Sequence, residues 1–126
     1  MFLDRSLGRI KAPALLRQAG LAVVTLAEHY GMPADEGIED VTWLQDTARL
    51  GWIAFMKDER IRRRPAEKEA VRRNGARCFY FTRGDLRTEV YVERILANLD
   101  GIARACAEPG PMIYVVHPHR IERMSF

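Results

Sequence analysis

Acidic residues stand at three places in the chain where they could act together. Asp4 directly follows the opening apolar residues, and Asp58 follows the run Ile-Ala-Phe-Met-Lys. Glu39 and Asp40 begin a predicted helix over 40–50. If the two apolar runs are neighbouring parallel strands, Asp4 and Asp58 lie at one edge of a sheet, where ligands bind in open α/β folds. The spacing therefore predicts an acidic cluster, with its third member supplied by the Glu39-Asp40 pair.

Carboxylates gathered in this way repel one another, and their pKa values rise unless a divalent cation neutralises them. Mg²⁺ binds one or two carboxylates, keeps several waters and accepts phosphate oxygens as further ligands. Such an ion lowers the pKa of a bound water and stabilises charge on phosphorus during in-line displacement. The cluster therefore predicts a hard-cation site. Each acid on its own could instead cap a helix or turn, a role that aspartate often has.

A basic tract surrounds Asp58 and could hold a polyanion beside the acidic cluster. Such residues bind the backbone of a nucleic acid without reading its bases. No aromatic residue lies within the tract, so base stacking is not expected. The alternative is a solvated charged loop, which is common for runs of this kind. The candidate backbone contacts are Lys57, Arg60, Arg62, Arg63 and Arg64.

Five short apolar runs are predicted to be strands, and helical patterns separate them. The strands are expected at 1–3, 21–25, 52–56, 77–81 and 112–116. Several lack apolar and polar alternation, which is typical of parallel strands buried on both faces. The helices are expected at 10–19, at 40–50, after Pro65, and at 92–106, where apolar residues recur every three or four positions. This order predicts a three-layer α/β/α sandwich with a central, mostly parallel five-stranded sheet.

Composition favours one soluble globular domain over residues 1–126. The 48% hydrophobic and 29% charged content is enough for a core without metal or disulfide support. No apolar run approaches the roughly 20 residues needed to cross a bilayer. The early charge in Met-Phe-Leu-Asp-Arg does not suit a signal peptide, so a cytoplasmic location is expected. Cys78 and Cys106 are expected to be buried free thiols.

The remaining motifs give little indication of function. No glycine-rich nucleotide-binding motif and no G-x-S-x-G elbow are present, so the sequence gives no support to nucleotide binding or serine hydrolase chemistry. His117-Pro118-His119 could form a metal-binding pair, but histidines without further ligands nearby are usually surface residues.

Several segments resemble PIN-like toxins of the VapC type. They are Phe-Leu-Asp-Arg-Ser-Leu-Gly at the start, Glu-Asp-Val-Thr-Trp from position 39, and Gly-Trp-Ile-Ala-Phe-Met-Lys-Asp-Glu-Arg-Ile-Arg-Arg-Arg-Pro from position 51. The aromatic run Arg-Cys-Phe-Tyr-Phe and the closing Gly-Pro-Met-Ile-Tyr extend the resemblance over almost the whole chain. Typical VapC toxins have a longer helical stretch between the second and third acids, so the chain resembles a compact subgroup.

The resemblance implies a PIN-like fold and a metal-dependent endoribonuclease, the toxin of a toxin-antitoxin pair. It implies that Asp4, Asp40 and Asp58 bind Mg²⁺ or Mn²⁺, with Glu39 as a substitute for Asp40. A fourth acid is expected after the fourth strand, where Asp85 is either a further ligand or a cap of the long helix. The basic tract then contacts RNA, an antitoxin protein covers the site, and a homodimer is common among such proteins.

Two alternatives remain at this point. One is a noncatalytic PIN-like module that binds RNA or a protein partner. The other is a phosphoacceptor receiver domain, which needs paired acids at the first strand and a lysine after the fifth. The chain has Asp4-Arg5 and His117-Pro118 at those positions, which disfavours a receiver.

Overall fold

Six short strands form one central sheet in the computed structural model, which describes residues 1–57 and 64–126. The strands are β1 (Phe2–Leu3), β2 (Val24–Thr25), β3 (Ile53–Met56), β4 (Arg77–Tyr80), β5 (Met112–Val116) and β6 (Ile121–Met124). Their order is β2-β1-β3-β4-β5-β6, and all neighbours are parallel except β5 and β6. The predicted mostly parallel sheet is confirmed, but the prediction of five strands was wrong.

The additional strand, β6, is an edge strand that runs antiparallel to β5. Its sequence Ile-Glu-Arg-Met has two charged residues at its centre, and none of the four side chains is fully buried. Because it pairs on only one side, it needs neither the length nor the apolar character on which the strand predictions relied.

Six α-helices and two 3₁₀ turns connect these strands within the described ranges. The helices are α1 (Lys11–Gln18), α2 (Leu26–Tyr30), α3 (Asp40–Leu50), α4 (Pro65–Asn74), α5 (Thr88–Ala97) and α6 (Leu99–Cys106). The 3₁₀ turns cover Arg5–Leu7 and Ala34–Gly37. The predicted helices over 10–19 and 40–50 and the helix after Pro65 are confirmed.

Local signals explain where α3 and α4 begin and end. Pro65 occupies the first position of α4, where its missing N–H costs nothing. Gly51 and Gly75 follow the two helices in left-handed conformations, with φ of 74° and 68°, which glycine adopts without strain. The start of α4 and the ends of both helices therefore follow from the sequence, and both helices begin at the functional site described below.

The helices differ from the prediction in two places. Helix α2 was not predicted, although Thr25 and Glu28 form a capping box at its start. The single helix predicted over 92–106 is broken at Asn98, which is buried. The Asn98 side-chain amide donates to Arg94 O at 2.7 Å and to His117 O at 2.8 Å. The second bond joins the break to the turn after β5, a tertiary contact that periodicity cannot reveal.

Two apolar layers cover the faces of the sheet. Helices α1, α5 and α6 pack on the face that carries Phe55 and Phe79, while α2, α3 and α4 pack on the face that carries Met56 and Tyr80. Both faces are buried, which explains the missing alternation in these strands. The three-layer α/β/α architecture is therefore confirmed. Both cysteines are free thiols, Cys78 buried and Cys106 half-buried.

The strand order creates a crevice between β1 and β3. From β1 the chain passes outward to β2 on one side, and it later returns to place β3 on the other side. Ligands bind at such a reversal, outside the carboxyl ends of the strands. Asp4 lies at this position, and its backbone N–H donates to Phe55 O at 3.0 Å. In the part of the chain that the structure describes, no helix is long and apolar enough to cross a membrane.

Candidate functional site

A pocket of about 600 Å³ opens at the β1/β3 crevice. Three segments form it: the turn after β1, the start of α3 and the start of α4. The described residues that line it are Asp4, Arg5, Ser6, Ile38, Glu39, Asp40, Val41, Arg64, Ala66 and Glu67. Four of the predicted site residues, Asp4, Glu39, Asp40 and Arg64, are therefore brought together, although their roles stay predictions.

Asp4 is held by the turn that follows it. Its Oδ2 accepts hydrogen bonds from Ser6 Oγ at 3.0 Å and from Ser6 N at 3.5 Å, so Asp4 does cap the turn Arg5–Leu7. Ser6 Oγ in turn accepts a hydrogen bond from Lys57 N at 2.9 Å, which ties the ends of β1 and β3 together. Burial and the negative charge of Asp40 raise the pKa of Asp4, and the bonds from Ser6 oppose this rise.

Asp40 is the first residue of α3, where the helix dipole favours a negative charge. Its Oδ1 accepts a hydrogen bond from Trp43 Nε1 at 2.9 Å, and the Trp43 ring is buried in the core. The carboxyl group is therefore fixed in direction. Glu39 precedes it as the N-cap residue, but it is exposed and makes no capping hydrogen bond through its side chain. Of the two acids, Asp40 is the one that interacts with the other acids of the pocket.

Glu67 was missed by the sequence analysis, although it lines the pocket. It lies in the first turn of α4, where an acid is ordinarily explained by the helix dipole. Its side chain is only 7% exposed, and Arg64 Nη1 lies 3.4 Å from its Oε1. Helical spacing could have revealed Glu67. It precedes the buried Ala70 and Val71 by three and four positions, so it lies on the buried face of α4.

The carboxyl groups of Glu67 and Asp40 interact directly. Burial, then a hydrogen bond to Asp40 and the charge of Asp40, raise the pKa of Glu67 to about 7, and Arg64 opposes the rise. Two carboxyl groups can share a hydrogen bond only if one carries the proton. If both groups are ionised, neither can donate to the other. Glu67 Oε2 then accepts no hydrogen bond from the described residues. The pair therefore needs a proton or a cation.

A clamp holds the turn Ala34–Gly37 against the turn after β1. Arg5 Nη2 donates to Asp35 O at 2.7 Å and to Glu36 O at 3.1 Å. Arg9 Nη2 lies 2.9 Å from Oδ2 of Asp35, whose side chain is 1% exposed. Because one of these turns follows Asp4 and the other precedes α3, the clamp fixes the separation of two acid-bearing segments.

The predicted fourth acid, Asp85, lies apart from this pocket. It forms an ion pair with Arg83, with Nη2 and Oδ2 3.0 Å apart, and its side chain is 73% exposed. It does not line the pocket. Nor does it cap the following helix, because the N-cap position of α5 is Arg87. Asp85 therefore takes part in an ion pair at the protein surface, outside the pocket.

The predicted basic contacts are only partly described. Arg64 lines the pocket and is 53% exposed, so its guanidinium is accessible to a ligand. The Lys57 ammonium lies 5.0 Å from the centre of the Tyr91 ring, in a cation–π contact on the opposite face of the sheet from α3 and α4. Asp58, Arg60, Arg62 and Arg63 lie outside the described residues.

The donor set fits a hard divalent cation. The side-chain oxygens that could bind a cation are the carboxylates of Asp4, Glu39, Asp40 and Glu67 and the hydroxyl of Ser6. Glu67 Oε2 is buried and accepts no hydrogen bond from the described residues. Within residues 1–57 and 64–126, no three acidic, histidine or cysteine side chains stand close enough together to hold one ion. Mg²⁺ does not need three, because it binds one or two carboxylates and completes its shell with water and phosphate.

Comparison with known proteins gives a family for this geometry. The model of the "PIN like domain" family matches residues 1–83. A Mycobacterium tuberculosis (strain ATCC 25618 / H37Rv) protein named "Putative ribonuclease VapC45" is 45% identical over 124 residues, which cover 98% of this chain and 90% of the relative. No solved structure matches the chain. Because the family model spans more than half of the chain and this relative matches nearly all of it, the chain belongs to the PIN-like domain family, in its VapC group.

Proposed function

We propose that this protein is a metal-dependent endoribonuclease that hydrolyses RNA phosphodiester bonds and is the toxin of a toxin-antitoxin pair. The observation that carries the proposal is the pocket at the β1/β3 crevice, where Asp4, Asp40 and Glu67 converge and where Arg64 Nη1 lies 3.4 Å from Glu67 Oε1. Several carboxyl groups in one crevice of this kind suit a divalent cation and its phosphate ligand. The 45% identical relative, itself named as a ribonuclease, supports the choice of RNA.

Asp4, Asp40 and Asp58 would hold Mg²⁺ or Mn²⁺. When bound, the cation supplies positive charge that lowers the pKa of a water and offsets the charge that develops on phosphorus. The protein supplies orientation. Ser6 and Trp43 fix one oxygen each of Asp4 and Asp40, so both carboxyl groups keep their direction before any ligand arrives.

The pocket rim supplies contacts for the RNA backbone. Arg64 presents an exposed guanidinium, which can bind a phosphate through two parallel hydrogen bonds. We propose that Lys57, Arg60, Arg62 and Arg63 extend this contact along the strand, without reading bases.

The proposed partners are RNA, a cognate antitoxin protein that covers the pocket, and a second copy of this chain. Ile10 and Met32 suit contact with a protein, because they are apolar, 82% and 67% exposed, and lie beside Arg9 near the clamp. The proposed location is the cytoplasm.

RNA cleavage by the purified protein tests the proposal. With Mn²⁺ present, Asp4→Asn, Asp40→Asn and Asp58→Asn are each expected to lose roughly 100-fold or more of the activity, because metal stabilisation of the transition state is worth several kcal/mol. EDTA should have the same effect on the parent. Asp100→Asn, an exposed acid in the first turn of α6, is the matched control and should cleave like the parent. Equal activity in all four variants and the parent would contradict the catalytic role.

The second candidate is a noncatalytic PIN-like module that binds RNA or a protein. It is favoured by the absence of a three-ligand group among the described residues. The same assay separates the two functions, because a binding module does not cleave RNA at any Mn²⁺ concentration.

A further inference from the structure

Glu67 has a buried carboxyl group with one oxygen that lacks a partner among the described residues. Its side chain is 7% exposed, it lines the pocket, and its Oε2 has no hydrogen-bond donor among the described residues. Burying an ionised group without compensation is unfavourable, so native structures rarely contain one. An orphaned buried oxygen in a ligand pocket therefore points to a partner beyond the described residues, such as a bound ligand.

The described neighbours of Glu67 do not supply this partner. Arg64 Nη1 lies 3.4 Å from Oε1, but its side chain is 53% exposed, so the pair is screened by solvent. Among the described residues, its other charged neighbour is the carboxyl group of Asp40, which has the same charge. Asp40 cannot easily turn away, because Trp43 Nε1 holds its Oδ1 at 2.9 Å.

Position in the fold explains why the two carboxyl groups face each other. Asp40 is the first residue of α3 and Glu67 lies in the first turn of α4, and these two helices pack against each other on one face of the sheet. Both side chains therefore emerge at helix N-termini that open into the same pocket. A cation placed there would bridge the two helices.

We propose that Glu67 is a ligand residue for the divalent cation, supplying a carboxylate oxygen from α4 beside that of Asp40 from α3. This assignment rests on the proposed function and adds a residue that the predicted acidic set lacked. It places the cation between the start of α3 and the start of α4, in the pocket that Asp4 also lines.

Isothermal titration of Mn²⁺ into the metal-free full-length protein tests this assignment. Glu67→Gln keeps the size of the side chain but removes its charge, and it is expected to weaken Mn²⁺ binding by roughly 10- to 100-fold. Glu67→Asp keeps the charge on a shorter side chain and should bind with intermediate affinity. Glu69→Gln is the matched control, because Glu69 lies in the same helix, is 59% exposed and pairs only loosely with Arg72 at 3.8 Å. It should bind Mn²⁺ like the parent.

Thermal unfolding with and without Mn²⁺ separates a ligand from a structural residue. If Glu67 is a ligand, Mn²⁺ raises the Tm of the parent and of Glu69→Gln, and at the same Mn²⁺ concentration it raises the Tm of Glu67→Gln by clearly less. If Glu67 only stabilises α4 through Arg64, Glu67→Gln lowers the Tm in EDTA and keeps the full response to Mn²⁺.

The outcomes distinguish this proposal from the proposed function. A Glu67→Gln protein that binds Mn²⁺ as tightly as the parent overturns the ligand role and leaves metal-dependent RNA cleavage standing. A parent that does not bind Mn²⁺ overturns both. Should Glu67→Gln fail to fold, Glu67→Asp decides, and unchanged affinity in that variant counts against the proposal.

Discussion

At the scale of single residues, the acids of the pocket differ in what holds them. Asp4 is held by a hydroxyl and a backbone N–H of the adjoining turn, whereas Asp40 depends on one indole N–H from the core. Trp43 is therefore a positioning residue as well as a core residue, since its ring packs on Phe2 with centroids 5.4 Å apart.

Trp43→Phe is expected to keep most of the ring packing and to lose the hydrogen bond to Asp40. Stability should fall by roughly 1–3 kcal/mol, and Mn²⁺ affinity by roughly 10-fold or more, because the carboxyl group is no longer oriented. Trp52→Phe is the control, because Trp52 stacks on the same Phe2 at 6.3 Å but does not contact Asp40. Urea unfolding and Mn²⁺ titration measure the two effects. An unchanged Mn²⁺ affinity in Trp43→Phe would argue against the positioning role.

The pocket carboxyl groups also make stability depend on pH. The pKa of Glu67 is raised from about 4.5 to about 7, and that of Asp4 is raised as well. Between these two pH values the folded protein binds more protons than the unfolded chain. The stability that Glu67 contributes is therefore complete below about pH 4.5 and is lost as the pH rises through about 7.

Urea unfolding in EDTA at several pH values checks this dependence. The free energy of unfolding of the parent should fall between about pH 5 and about pH 7.5, and the fall should be smaller in Glu67→Gln. Exposed acids with lowered pKa values, such as Glu28 and Asp85, change stability only at lower pH and do not affect this range. A parent that becomes more stable as the pH rises over this range would contradict the raised pKa values.

At the scale of elements, local sequence signals predicted the helices that carry the site. Pro65 and Gly51 mark a start and an end that need no tertiary information. Strand β6 and the break at Asn98 could not be predicted in the same way, because each depends on a partner distant in sequence. Glu67 lies between these two cases. Helical spacing places it on the buried face of α4, but its position beside Asp40 depends on the packing of α4 against α3.

The clamp formed by Arg5 and Arg9 on the turn Ala34–Gly37 can be tested by mutation. Asp35→Ala removes the buried partner of Arg9 and should lower the free energy of unfolding by roughly 1–3 kcal/mol. It should also reduce RNA cleavage, because the turn that precedes α3 is no longer fixed against the turn after Asp4. Glu36→Ala is the control. Its carboxylate is 70% exposed and 3.9 Å from the same arginine, so its removal should change stability by less than about 0.5 kcal/mol. Equal stability in the two variants would show that the clamp contributes little.

At the scale of the whole molecule, the strand order brings acids that are distant in sequence together in one pocket. The sequence predicted parallel strands but could not say which of them are neighbours. Pairing of β1 with both β2 and β3 supplies that answer and places Asp4 in the crevice beside the end of β3, the strand that Asp58 follows in sequence. Asp4 was predicted from the end of a strand, Asp40 and Glu39 mainly from the family resemblance, and Arg64 from the basic tract.

Arg64, which lines the pocket at this crevice, is expected to contribute to RNA binding. In a cleavage-deficient Asp4→Asn background, Arg64→Ala should weaken RNA binding and reduce the slope of log K against log salt by about 0.7, the value for one lost phosphate contact on a single strand. Arg49→Ala is the control, because Arg49 is 74% exposed in the last turn of α3, away from the pocket. Fluorescence anisotropy at several salt concentrations measures both slopes. Equal slopes would remove Arg64 from the RNA contact.

The central claim is that acids from separate segments bind one divalent cation at the β1/β3 crevice. An anomalous difference map from a crystal of the protein soaked in Mn²⁺ tests it most directly. The expected result is a peak with oxygens of Asp4 and Asp40 as ligands at roughly 2.0–2.6 Å, or bridged to it by water. The claim would be contradicted by a map without a peak in the pocket, or by carboxyl groups more than about 10 Å apart, which is too far for ligands of one cation.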